Sequence, residues 1–127
     1  MPVCNIRNVS RGLLSNSSSN SSYIYIGRAN KSWGLAQSPL ANPFPITKDC
    51  DRTQSIALYR KWLWAQIKHV LAGGKSAAVD LLVELAQRRL DGEQFYLICW
   101  CYPEPCHGDV VDRAINWIIQ DGSLLPF

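Results

Sequence analysis

The densest group of chemically reactive side chains lies near the end of the sequence. Cys99, Cys101, Cys106 and His107 fall within nine residues, and Asp109 follows two positions later. Thiols, imidazoles and carboxylates serve proteins as nucleophiles, proton carriers and metal ligands. Three kinds of site are compatible with this segment, and the sequence leaves all three open.

The first interpretation is a site for a phosphate group or a nucleotide. The loop from Cys101 to Gly108 would follow a buried strand, and open α/β sheets bind ligands beyond the carboxyl ends of their strands. The next helix would begin near Gly108, where free N–H groups attract anions. Arg28, after Gly27 at the end of another predicted strand, would reach the same edge and bind phosphate. The alternative for Arg28 is an arginine that braces a surface loop.

Further residues of this phosphate site come from the segment before the longest predicted helix. Lys31 or Arg52 would add positive charge, and Trp33 or Phe44 would stack on a base. Asn42 belongs to the same segment and completes the predicted ligand-binding set. The loop from Trp33 to Phe44 would form the roof of the site.

The second interpretation is thiol catalysis by Cys106. A helix N-terminus and a protonated neighbouring histidine both favour the thiolate, which is the nucleophilic form. His107 would act as the acid and base, and Asp109 would orient its imidazole. Side chains of adjacent residues often point apart, which argues against this pair.

The third interpretation is a zinc site. Cys99, Cys101, Cys106 and His107 supply four ligands, the number that tetrahedral zinc requires. Their spacing lacks the paired C-x2-C arrangement, and adjacent Cys106 and His107 would have difficulty in binding one ion. A purely structural role, with the thiols packing as small apolar groups, is the other alternative. We therefore expect no cofactor, with zinc as the alternative.

Three segments have the composition of strands. Pro2 to Val9 alternates polar and apolar residues, and Tyr23 to Ile26 is aromatic and β-branched. Gln94 to Cys101 is apolar on both alternating faces, which is typical of a central strand, usually parallel, that is covered on both sides. The sequence therefore predicts a sheet with the third strand inside it.

Three segments have helical periodicity. Asp51 is a predicted N-cap for Thr53 to Leu71, and Ser76 caps a second helix that ends at Asp91. Asp109 to Gln120 is the third. The order β-β-α-α-β-α predicts an α/β fold, a small three-layer, Rossmann-like open sheet that is mostly parallel.

The chain length fits one domain covering residues 1–127. Residues 15–22 form a Ser/Asn-rich tract that predicts a flexible loop, and residues 29–50 form a long loop broken by three prolines. No stretch approaches the roughly 20 apolar residues of a membrane helix. An odd number of cysteines, five, of which three crowd into positions 99 to 106, and a polar N-terminus favour the cytoplasm over secretion, and we expect no membrane partner.

Charge is divided unevenly along the chain. Residues 1–75 hold ten Lys/Arg and two Asp, whereas residues 76–127 hold three Arg and eight Asp/Glu. This asymmetry favours an anionic partner for the first half, or the two halves neutralise each other in the fold. Within the first helix, Trp64 could stack on bases while Arg60 and Lys61 contact phosphates, or these residues form an ordinary solvated face.

Several short motifs together resemble one family. The motifs are residues 25–28 (YIGR), 33–34 (WG), 38–44 (SPLANPF), 59–63 (YRKWL) and 99–109 (CWC to CHGD). The chain resembles the uncharacterised bacterial and phage family catalogued as domain of unknown function 4326, over nearly its whole length. In that family's pattern Trp-Gly leads directly into Asn-Pro-Phe, whereas Leu35 to Ala41 intervene here. The resemblance implies a fold and the position of a site, but no reaction.

These observations favour one function and leave another open. The favoured function is binding of a nucleotide or another phosphorylated small molecule, with hydrolysis or group transfer as the reaction it would support. The alternative is a non-catalytic, phage-associated interaction protein that binds nucleic acid or a host protein. A shared cleft for Arg28 and His107 would support the first.

Overall fold

The computed structural model of the chain describes residues 3–5, 23–99 and 107–125. Strands in these ranges are β1 (Val3–Asn5), β2 (Tyr23–Tyr25) and β3 (Tyr96–Cys99). Helices are α1 (Arg52–Leu71), α2 (Ala77–Leu90) and α3 (His107–Asp121), and a single 3-10 turn spans Lys31–Trp33. The predicted α/β class is confirmed, and the elements follow the predicted chain order.

The three described strands form one parallel sheet in the order β1-β3-β2. Val3 of β1 pairs with Leu97, and Tyr25 of β2 pairs with Ile98. β3 therefore lies between the other two strands, as its apolar composition predicts. Because all three strands run the same way, their carboxyl ends meet at one edge of the sheet.

The central strand is buried on two faces. Leu97 and Ile98 point to opposite faces and are both fully buried. Leu97 joins Ile24 and Ile26 of the β2 segment in the main hydrophobic core. Tyr96, at the start of the strand, is exposed and stacks on Tyr23, with 5.9 Å between the ring centroids.

Local sequence determines where the first two helices begin. The Asp51 side chain accepts a hydrogen bond from the Gln54 N–H, and the Gln54 side chain accepts one from the Asp51 N–H. This reciprocal capping box satisfies N–H groups that the helix leaves without partners. The Ser76 hydroxyl accepts from the Val79 N–H and caps α2 in the same way. Both predicted N-caps are confirmed.

The helices bury their apolar stripes against the sheet and against one another. Tyr59, Leu63 and Ile67 recur at four-residue spacing on α1, and each is at most 1% exposed. Leu82 of α2 and Ile115 of α3 are fully buried in the same core. The packing therefore holds α1 and α3 side by side, and this fixes where each helix begins relative to the sheet.

Element boundaries differ from the predicted ones at several points. The third strand begins at Tyr96 rather than Gln94, because its pairing with β2 starts where Tyr23 lies opposite. The last helix begins at His107, two residues before the predicted start. Parts of the predicted strands (residues 2, 6–9, 100 and 101) and the Ser/Asn-rich tract at 15–22 lie outside the described residues.

The long loop at 29–50 has no extended helix or strand, which agrees with its three prolines. Asn30 and Leu35 form an isolated antiparallel bridge, and Thr47 and Cys50 form another. Leu40 is fully buried in the core, so the middle of the loop is anchored to the domain. Within the described ranges, no helix has the length and apolar content needed to cross a bilayer.

Candidate functional site

Polar residues from three segments meet where the parallel strands end. We call this place the carboxyl rim and define it by residues 26–28 after β2, residues 40–44 of the long loop and residues 107–109 at the start of α3. In open α/β sheets this is the edge at which ligands bind. The rim unites segments that are about 80 positions apart in the sequence.

The exit from β2 is a tight turn built around Gly27. The Ile26 N–H donates to the Ile98 carbonyl at 3.1 Å and continues the ladder one residue past the strand. A Cβ atom at Gly27 would lie 2.4 Å from the Tyr25 hydroxyl, so the close approach of ring and backbone requires glycine. The same hydroxyl donates to the Arg28 carbonyl. This turn places Arg28 at the rim.

The Arg28 side chain braces the loop with one edge of its guanidinium. Its Nε and Nη2 donate to the Asn42 carbonyl at 2.9 and 2.7 Å. This is the loop-bracing role that the sequence offers as the alternative for Arg28. The acceptor is neutral, and Arg28 is exposed and forms no ion pair within the described residues. Its positive charge is therefore not cancelled by a carboxylate there.

A relay of hydrogen bonds fixes the other side of the loop to α1. The Asn42 amide donates to the Ser55 hydroxyl at 2.9 Å, and that hydroxyl donates to the Phe44 carbonyl. The Phe44 N–H donates back to the Asn42 side chain at 2.8 Å. One turn further along α1, the Tyr59 hydroxyl donates to the Leu40 carbonyl at 2.7 Å. The loop carbonyl that Arg28 binds is thereby held in place.

His107 joins α3 to the end of β2. Its Nε2 lies 2.6 Å from the Ile26 carbonyl, and because a carbonyl can only accept, Nε2 carries the proton. The imidazole is 7% exposed and packs edge-on against the Tyr59 ring, with 4.9 Å between centroids. The first turn of α3 is thus fixed at the rim.

Burial and the positive charge of Arg28 both act on the pKa of His107. Burial lowers the pKa of His107 below its ordinary value of 6.5, and the hydrogen bond to Ile26 partly opposes this effect. The positive charge of Arg28 lowers the pKa of His107 further. The two residues act on each other across the rim, and His107 is neutral at pH 7.

The remaining predicted ligand-binding residues are distributed around the rim or beyond it. Phe44 is half-buried against the hydrophobic core, and Arg52 is the half-buried first residue of α1. Lys31 is exposed in the 3-10 turn that also contains Trp33. Asn42 provides the carbonyl for Arg28 and the amide for Ser55, so the structure gives it a bracing role.

The predicted catalytic and metal-ligating residues are described only in part. Gly108 is buried and Asp109 is exposed in the first turn of α3. Cys101 and Cys106 lie outside the described residues, so the thiol and zinc interpretations stay predictions. In the part of the chain that the structure describes, no three His, Cys, Asp or Glu side chains come together as a metal site.

Two residues that fasten the rim to α1 are absent from the predicted site. Ser55 and Tyr59 lie four residues apart on the buried stripe of α1, and both bind carbonyls of the loop. A serine on the inward face of an amphipathic helix needs a hydrogen-bond partner, because burying an unpaired hydroxyl is unfavourable. That spacing is the signal in the sequence that points to these two residues.

The fold and the rim together define a small α/β domain with a parallel sheet and a polar carboxyl edge. The model of the family described as Domain of unknown function (DUF4326) matches residues 13–117. The chain belongs to that family, as the resemblance in its motifs indicates. The matched region begins after β1 and ends within α3, so it contains the entire described rim.

A curated relative comes from a bacteriophage. The chain is similar to an uncharacterised 12.4 kDa protein of the nrdA-td intergenic region of Enterobacteria phage T4, with 26% identity over 77 residues. The similarity covers 52% of this chain and 71% of the phage protein. No solved structure matches the chain significantly.

Proposed function

We propose that the carboxyl rim binds the phosphate group of a nucleotide or another phosphorylated small molecule. The observation that carries this proposal is the exposed charge of Arg28, which pairs with no described carboxylate and lies two residues after Ile26, whose carbonyl binds His107 at the start of α3. An exposed cation fixed next to a helix N-terminus is a favourable place for an anion.

The guanidinium retains a second edge for a ligand. Nε and Nη2 bind the Asn42 carbonyl, while Nη1 has no hydrogen-bond partner within the described residues. A phosphate oxygen could be held by Nη1 and the remaining hydrogen of Nη2 without disturbing the loop. The bracing interaction then orients the ligand-binding edge, so the two roles weighed for Arg28 are compatible.

The start of α3 would supply the second half of the site. The dipole of α3 adds partial positive charge at this end of the helix. The bond from His107 to Ile26 keeps this end beside the strand from which Arg28 emerges. We propose that the domain binds its ligand in the Rossmann-like manner, beyond the carboxyl ends of parallel strands.

His107 fits a positioning role better than acid–base catalysis. Its Nε2 proton is already donated to a backbone carbonyl, and its lowered pKa keeps the ring neutral at pH 7. A neutral, hydrogen-bonded imidazole holds α3 in place but adds no charge to the site. The function that these contacts support is therefore ligand binding.

The test is a thermal-shift and calorimetry screen of the full chain. The screen covers inorganic phosphate, pyrophosphate, nucleoside phosphates and sugar phosphates. At least one of these compounds should raise the melting temperature of the chain. A ligand at 100 times its Kd adds about 2.7 kcal/mol to the free energy of unfolding. Arg28→Ala should weaken that ligand about 10- to 100-fold, since it removes charge-assisted hydrogen bonds.

Arg113→Ala is the matched control. Arg113 is another exposed arginine, and it lies within α3 rather than at its start. This variant should leave the affinity within about twofold of the unmodified chain, as expected for a distant surface charge. If no phosphorylated compound stabilises the chain, or if both variants weaken binding equally, the proposal is wrong.

Asp109→Asn offers an independent check. The Asp109 carboxylate lies in the first turn of α3, where it would repel a bound phosphate. Removing its charge should tighten phosphate binding about two- to fivefold. Weaker binding in Asp109→Asn would show that the anion does not lie at this end of the helix.

A further inference from the structure

We propose that the exposed face of α1 binds single-stranded nucleic acid. The face consists of Arg60, Lys61, Trp64 and Lys68, and we call it the basic strip. Arg60, Trp64 and Lys68 are spaced by four residues, and Lys61 lies seven residues before Lys68. These spacings place all four side chains on one side of a helix.

The basic strip lies beside the buried stripe of the same helix, on its exposed side. Leu63 and Ile67 are buried in the core, whereas Arg60, Lys61 and Lys68 are all exposed. Arg60 follows directly after Tyr59, whose ring contacts His107 at the rim. The strip therefore begins beside the rim and continues along α1.

Charge on the strip is of one sign. None of the 20 residues of α1 is an aspartate or glutamate. Within the described residues, none of its three exposed cations forms an ion pair. The helix thus lacks the Glu–Lys pairs that stabilise exposed helices at this spacing. An unneutralised row of cations is complementary to a phosphate backbone.

Trp64 distinguishes this face from a simple positive patch. It is half-buried and packs edge-on against Trp117 of α3, with 5.0 Å between ring centroids. That contact fixes its indole between Arg60 and Lys68. A rigid aromatic ring within a row of cations is the arrangement with which proteins stack the bases of single strands. Bases in a duplex are already stacked, which favours the single strand as the partner.

The experiment measures fluorescence anisotropy of a labelled oligothymidine of about 16 nucleotides across a series of salt concentrations. The full chain should bind it, with an affinity that falls as salt rises. The double variant Lys61→Ala, Lys68→Ala should reduce the slope of log K against log salt by about 1.4, or about 0.7 for each lost phosphate contact.

The matched control removes two other exposed lysines. Lys31→Ala with Lys48→Ala changes the net charge by the same amount in the loop before α1. This control should retain the salt slope of the unmodified chain. Equal losses in the two double variants would overturn the proposal, because they would reflect net charge rather than the strip.

Trp64 is tested by a pair of substitutions. Trp64→Leu should weaken binding of the oligonucleotide about 5- to 100-fold, because it removes base stacking. Trp64→Phe keeps an aromatic ring and should retain most of the affinity of the unmodified chain. The melting temperature of each variant shows whether the fold is retained. If folded Trp64→Leu binds as well as the unmodified chain, or if a duplex binds more tightly than the single strand, the proposal is wrong.

Discussion

Arginines in two regions of the molecule make different kinds of contact. At the junction of α2 and α3, which we call the helix base, Arg88 pairs with Glu93 at 3.2 Å and Arg89 pairs with Asp112 at 2.9 Å. At the carboxyl rim, Arg28 binds only a backbone carbonyl in the described structure. The arginine charges at the helix base are paired with carboxylates, whereas Arg28 at the rim pairs with no described carboxylate. Arginine therefore has a structural role in the first region and can attract an anion in the second.

The arginines of the helix base are also more buried than Arg28 of the rim. Arg88 is 8% exposed, and the guanidinium groups of Arg88 and Arg89 both lie over the Phe95 ring, 5.4 and 5.1 Å from its centroid. A cavity of about 520 Å³ lies beside it and is lined partly by Arg89 and Asp112. Because Arg89 pairs with Asp112 and Glu93 is a further acidic residue of the lining, the cavity offers no excess positive charge. The rim, with its retained charge, is the better candidate for a phosphate.

The largest effect is expected at the helix base. Asp112→Ala should lower the free energy of unfolding by about 2 to 3 kcal/mol, because it leaves the largely buried Arg89 with its hydrogen bond to Asn116 but without its carboxylate partner. Urea denaturation followed by circular dichroism measures the change. The control is Asp109→Ala, an exposed carboxylate on the same helix, for which a loss below about 1 kcal/mol is expected. Similar losses of stability in the two variants would show that the Arg89–Asp112 ion pair contributes no more than an exposed carboxylate does.

A smaller effect is expected where the rim is fastened to α1. Tyr59→Phe removes the hydroxyl that binds the buried Leu40 carbonyl and should lower the free energy of unfolding by about 1 to 2 kcal/mol. Tyr96→Phe, at an exposed tyrosine of β3, should change it by less than about 0.5 kcal/mol. A loop that stays equally stable without the Tyr59 hydroxyl would show that Ser55 and Arg28 suffice to hold it.

The pH dependence of stability probes the burial of His107. Its pKa is lower in the folded state than the ordinary 6.5 of the unfolded chain, so the unfolded chain binds more protons in the interval below 6.5. Stability contributed by the neutral ring is complete above pH 6.5 and is lost as the pH falls toward the folded pKa. The loss should not exceed about 1.4 kcal/mol per pH unit. Urea titrations between pH 7.5 and pH 5, an interval chosen around the ordinary histidine pKa of about 6.5, measure it.

A histidine substitution identifies the source of that dependence. His107→Gln keeps a side chain that can donate to the Ile26 carbonyl, and it should flatten the stability profile below pH 6.5. His69→Gln replaces the exposed histidine of α1 and should leave the profile as it is. A profile that flattens only in His69→Gln would contradict the role given to burial of His107.

Features determined by neighbouring residues could be predicted from the sequence. Asp51 and Ser76 cap their helices through contacts three residues away. The inner position of β3 follows from its two apolar faces, because only a covered strand can bury both. The place of Arg28 and His107 at one rim also follows, since parallel strands bring their carboxyl ends together.

Contacts between distant segments could not be predicted in the same way. The sequence presents His107 as a reactive loop residue, but its surroundings come from Ile26 and Tyr59 on other elements. The pair between Arg89 and Asp112 depends on the packing of α2 against α3. Burial and ion pairing of this kind arise from three-dimensional packing, which periodicity in a single segment does not specify.

The smallest and most specific effect links the two residues of the rim. Arg28→Ala removes a positive charge that disfavours protonation of His107, so the pKa of His107 should rise. Burial is the larger cause of the lowered pKa and persists in the variant, so the pKa should stay below 6.5. Titration of the imidazole by NMR measures the shift, and Arg28→Lys should keep the pKa near that of the unmodified chain. A pKa that does not rise would mean that Arg28 lies too far from α3 to share a ligand with it.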